Sequence, residues 1–138
     1  MNWELLLAVV GLAGAWLGSV VSWLRSQAQR RADEEYVRRE GLYLQLLTAL
    51  SAFYQGGTPD GVAAFTTQTR LAWLYAPDEV IRALYAFLDT QKGDVPSERK
   101  NSEGRRTMAE LVSAIRTDLF HTTGKETQLT AADYKHLT

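Results

Sequence analysis

Between Leu5 and Leu24 the chain runs for twenty consecutive residues without a charge. At about 1.5 Å per residue, a helix of that length matches the roughly 30 Å hydrocarbon core of a bilayer. A soluble alternative would have to bury the whole run, and only 114 of the 138 residues (138 less the first 24) remain to cover it. A cleaved export signal wants positive charge ahead of a shorter apolar run. Here Glu4 precedes the run and Arg25 follows it. The expectation is a transmembrane helix over residues 1–24. Arg25, Arg30, Arg31, Arg38 and Arg39 crowd its C-terminal side, and the positive-inside rule then puts that side in the cytoplasm and the short N-terminus outside.

Trp3 and Trp23 stand at the two ends of the run, where an amphipathic indole favours the headgroup level, so both are expected to be interfacial anchors. Gly11, Gly14, Ala15, Gly18 and Ser22 recur at helical spacing. Their shared face of small residues would let two helix backbones approach closely, which predicts a homo-oligomer held through the span. Arg25, Arg30 and Arg31 form a juxtamembrane basic group that can meet anionic lipid headgroups. Because Asp33, Glu34 and Glu35 follow at once, the group is read first as a topology determinant. Membrane lipids are the one partner this region names.

Beyond the span the charges cancel: all fifteen Lys and Arg lie at or after Arg25, and fifteen of the sixteen acidic residues accompany them. No electropositive surface recommends nucleic acid as a partner. The chain has no cysteine, so disulfides, thiolate metal sites and thiol nucleophiles are excluded, in keeping with a reducing cytoplasm.

Residues 25–40 are polar nearly all round and suit a helical stalk, with Glu34 and Glu35 four residues ahead of Arg38 and Arg39. A helical domain is expected over 41–124 and a tail over 125–138. Leu42, Leu46, Ala49 and Phe53, flanked by Tyr43, Leu47, Leu50 and Tyr54, make a wide apolar stripe of period 3.6. Gly56 and Gly57 should stop that helix, and Thr58-Pro59 supplies an N-cap and an N1 proline for the next. Val62, Phe65, Thr69 and Trp73 are expected on its inner face, and Pro77 should end it near Ala76. Val80, Ile81, Leu84, Tyr85 and Leu88 predict a third buried face, closed by Gly93. The polar run from Gly93 to Gly104 reads as one long, mobile loop. Met108, Leu111, Val112, Ile115 and Leu119 then mark a last amphipathic helix that Gly124 closes. The tail holds a possible capped turn at Thr130 to Asp133.

With no strand alternation and no repeat, the expected fold class is all-α: one N-terminal transmembrane helix followed by a small antiparallel three- or four-helix bundle. At Leu71–Ile81 (LAWLYAPDEVI) and Ala114–Leu119 (AIRTDL), the chain resembles a set of small, uncharacterised bacterial proteins with one spanning helix and a short helical domain. That resemblance implies a bacterial inner-membrane setting and no activity.

Chemistry is sparse. His121 and His136 each follow an aspartate by three residues, Asp118 and Asp133. Carboxylate-bridged bundles draw more acidic ligands than this from facing helices, so solvated polar residues are expected and no metal site. No phosphate-binding, dinucleotide, zinc-protease or hydrolase-elbow motif is present, so neither a cofactor nor a catalytic residue is expected. Phe53, Tyr54, Trp73, Tyr75, Tyr85 and Phe87 could line a groove, but such a set is more commonly core. The expected function is a non-enzymatic, membrane-anchored interaction or scaffold module. The alternative is a membrane-active oligomer, a small pore or a defence or toxin-type effector. An uncharged span offers no polar path, which counts against that alternative.

Overall fold

The computed structural model describes residues 2–54 and 58–136. Four α-helices follow one another: α1 (Trp3–Tyr54), α2 (Pro59–Tyr75), α3 (Asp78–Thr90) and α4 (Ser97–Thr122). A 3-10 turn, Ala131–Asp133, closes the order, and no strand occurs among the described residues. The chain divides into two compact units, 1–35 and 36–138. The expected helix stop at Gly56 and Gly57 lies outside the described residues, as do the side chains of Phe53 and Tyr54.

In the first unit nothing covers the apolar run. Leu5, Val9, Leu12, Trp16 and Leu17 are all exposed, and no residue of the most apolar window is buried. Helix α1 is long and apolar enough, by length and composition, to cross a membrane.

The second unit has one core. Tyr43, Leu46, Ala49 and Leu50 from α1 pack with Phe65 and Ala72 from α2. Val80, Ile81, Leu84 and Phe87 come from α3, and Leu111 and Ile115 from α4. The α1 and α3 sets repeat at three and four residues, the spacing that keeps side chains on one helical face. Thr58 caps α2 in extended geometry, its hydroxyl accepting from Gly61 N–H at 3.1 Å, with Pro59 in the first turn. Proline also ends that helix. Ala76 is extended at ψ 149, as the ring of Pro77 demands of its predecessor, and Asp78 and Glu79 then occupy the positive end of α3.

Three expectations are corrected. The predicted loop from Gly93 to Gly104 is mostly helix, since α4 begins at Ser97 and the break is only residues 91–96. Pro96 holds the extended N-cap, Glu98 sits in the first turn, and Arg99–Glu103 and Arg106–Glu110 pair at 2.9 Å one turn apart. That turn of helix is polar and solvated, so it leaves no apolar period to detect. Gly104 is no terminator but a buried helical residue. A Cβ there would stand 2.6 Å from Gln91 Nε2, so any larger residue must displace that side-chain amide.

The inner face of α2 is also rotated from expectation. Phe65 and Ala72 are buried and Thr69 is half-buried, whereas Val62 and Trp73 face out, Trp73 at 61% exposure. Finally, α3 stops at Thr90 rather than at Gly93; the Thr90 hydroxyl donates back to the Phe87 carbonyl at 2.7 Å.

Candidate functional site

The residues singled out on the span lie within the first unit. Gly11, Gly14, Ala15, Gly18 and Ser22 are exposed, and a Cβ built on Gly11, Gly14 or Gly18 would meet nothing within 4 Å. Trp3 and Trp23 are exposed at opposite ends of the run, and Arg25, Arg30 and Arg31 are exposed beyond it.

In the second unit the structure brings together three groups that sequence reasoning did not join. Arg39 and Tyr43, one turn apart on α1, both reach Asp118 on α4. The guanidinium Nη1 of Arg39 donates to Oδ1, and the Tyr43 hydroxyl donates to Oδ2. Each carboxylate oxygen thereby has its own donor. Tyr43 is 2% and the Asp118 side chain 7% exposed, with Arg39 closing the outer side at 23%. Burial raises the Tyr43 phenol well above its ordinary value; the hydrogen bond to Asp118 and that residue's negative charge push the same way, and only the Arg39 charge opposes. The group is a buried, ion-paired clamp between α1 and α4. Buried pairs of this kind fix geometry more surely than they add stability.

Asp118 is thus engaged by α1 and not shared with His121, which is exposed. Asp133 closes a capping box on Thr130, with 2.8 Å to its backbone N–H and 3.0 Å to its hydroxyl, and these bonds lower its pKa. His136 reaches the Arg105 carbonyl at 2.8 Å. Among the described residues no three His, Cys, Asp or Glu side chains gather as metal ligands. The tail is docked rather than frayed: Arg116 donates to Thr127 at 3.0 Å, and Lys125 N–H returns to the Phe120 carbonyl.

The aromatic set divides. Phe87 is core at 2% exposure, but Trp73, Tyr75 and Tyr85 are exposed, which corrects the expectation of a common core. Trp73 Nε1 donates to the Tyr85 hydroxyl, linking α2 to α3 by the polar tips of the two rings. The signal for the Arg39–Tyr43–Asp118 clamp was present in part. An arginine and a tyrosine four residues apart share a helix face, but only the fold supplies an acid 75 residues further on.

Compared with family models, curated proteins and solved structures, the chain matches none.

Proposed function

We propose that this chain is a membrane-anchored, non-enzymatic helical module that self-associates through its span and presents its second unit to a protein partner. The carrying observation is the uncharged run Leu5–Leu24, exposed throughout and followed by arginines. An apolar surface of this extent needs lipid or another helix to cover it. In this reading Trp3 and Trp23 sit at the two headgroup levels. Arg25, Arg30 and Arg31 hold the C-terminal unit in the cytoplasm of a bacterial inner membrane, with the N-terminus outside. The later helices pack as a small antiparallel bundle, a reading supported by the single core to which α1, α2, α3 and α4 all contribute.

Fusions after Thr138 test the topology. A reporter active only in the cytoplasm should be bright and one active only in the periplasm silent; the opposite pattern refutes the orientation. Extraction that releases the chain with carbonate and without detergent refutes the anchor. A mild-detergent extract that yields neither a stoichiometric partner nor a self-assembled species refutes the module.

A further inference from the structure

Residues of α1, α3, α4 and the tail line a cavity of about 360 Å³ within the second unit. Its floor is apolar, formed by Leu50, Phe87 and Met108, and its rim is basic, formed by Lys100, Arg105 and His136. No acidic side chain is among the residues that line it. Neither Lys100 nor Arg105 has a side-chain ion pair among the described residues. That contrasts with the neighbouring turns of α4, where Arg99 and Arg106 are each paired with a glutamate. Arg116, further along α4, also lacks an acid but meets Thr127 and the Phe120 ring, whereas Lys100 and Arg105 border the cavity.

Local structure keeps the space open. Gly104 forms part of the wall, and a side chain there would displace the flexible Gln91 amide, which lines the same cavity. His136 is held over the site by the Arg105 carbonyl. A carbonyl only accepts, so Nε2 carries the proton. Tyr134 braces the imidazole edge-to-face, with ring centroids 4.9 Å apart. Small-ligand sites commonly occupy about 300–1,000 Å³ and combine apolar walls with a few polar groups that orient the ligand.

We propose that this cavity binds a small organic anion. A carboxylate or phosphate-monoester head lies between Lys100 and Arg105, and a compact apolar body rests on Leu50, Phe87 and Met108. Cations beside an apolar floor favour an amphiphilic anion over a bare inorganic ion, which gains nothing from the floor, and over a neutral analogue, which gains nothing from the rim. The site stands on the geometry of the second unit and does not depend on the proposed partner or on association of the span.

The chain has two methionines, Met1 and Met108, so methyl-¹³C methionine labelling of the full-length protein in lipid nanodiscs places one reporter in the cavity floor and one far along the sequence. Titration with 4-phenylbutyrate or with phenyl phosphate should shift the Met108 methyl saturably and leave Met1 in place. The neutral 4-phenylbutanol, and inorganic phosphate alone, should each bind at least tenfold more weakly. The double variant Lys100→Gln, Arg105→Gln, whose changes lie at a solvent-facing rim, should lose at least tenfold in affinity for both anions. The proposal is overturned if Met108 does not move with either anion, or if the alcohol or inorganic phosphate matches them. It is equally overturned if the double variant binds as the parent does, or if both methyls drift together without saturation, which is partition into the bilayer.

Discussion

Tyr43 on α1 donates its phenolic hydrogen bond to Asp118 on α4, 75 residues later, and the second oxygen of the same carboxylate takes Arg39. One acid thus satisfies two side chains that leave α1 a single turn apart. Removing it takes the acceptor from the buried Tyr43 hydroxyl and the Asp118 contact from Arg39, and the cost of a buried donor left without its acceptor exceeds what the intact bond contributes. Asp118→Ala should lower stability by about 3 kcal/mol, whereas Tyr43→Phe, which leaves the Arg39 pair in place, should cost about 1 kcal/mol. Chemical denaturation of the full chain in one fixed lipid environment, followed by helical circular dichroism, checks the order. Equal losses for the two variants would contradict it.

The same phenol predicts an alkaline limit. Its folded pKa is raised, chiefly by burial, above an ordinary value of 10.0. The stability this contributes is fully present below the unfolded value and is lost as pH climbs from there toward the folded one, because the unfolded chain releases the proton first. Denaturation midpoints should therefore fall from about pH 10 upward. Tyr43→Phe should flatten that slope, and an unchanged slope in the variant would assign the limit to other groups.

Helix α2 carries a small internal liability. The Thr69 hydroxyl is buried without a hydrogen-bond partner among the described residues. An unsatisfied buried hydroxyl costs free energy that an isosteric methyl does not. Thr69→Val should stabilise the fold by about 1 kcal/mol, read as a higher denaturation midpoint with unchanged helical content. A lower midpoint would mean that this hydroxyl is bonded in solution.

What the sequence made legible follows from where apolar side chains repeat. Val80, Ile81, Leu84 and Leu88, or Met108, Leu111 and Ile115, announce their helices because each packs on the core, although Phe87 rather than the expected Tyr85 completes the α3 stripe; Thr58-Pro59 and Ala76-Pro77 announce their boundaries through backbone chemistry. The first turns of α4 bury little besides Gly104 and Thr107, so nothing periodic distinguished them from loop. Trp73 was placed on the inner face by spacing alone, since Val62, Phe65, Thr69 and Trp73 fit a helical stripe as well as Phe65, Thr69, Ala72 and Ala76 do. Ala72, completely buried, joins Phe65 in the core where Trp73 does not. The Arg39–Asp118 pair and the basic cavity rim join residues distant in sequence, and no local pattern encodes either.

The open face of the span gives the last prediction. Gly14 and Gly18 lie one turn apart, with Gly11, Ala15 and Ser22 on the same side, and a Cβ at either glycine meets nothing within 4 Å among the described residues. Spanning helices associate through close backbone packing, which small residues permit and β-branched ones obstruct. The double substitution Gly14→Ile, Gly18→Ile keeps the run apolar, so insertion should survive while crosslinked dimer or higher species in membranes fall at least several-fold. Val9→Phe with Val20→Phe, on the opposite side of the helix, is the matched control and should leave crosslinking as it is. If the parent, the isoleucine variant and the control all give the same species, the small residues do not form the contact. Association must then run through the helices of the second unit, where truncation of the exposed Leu74 or Trp73 side chains would be the next place to weaken it.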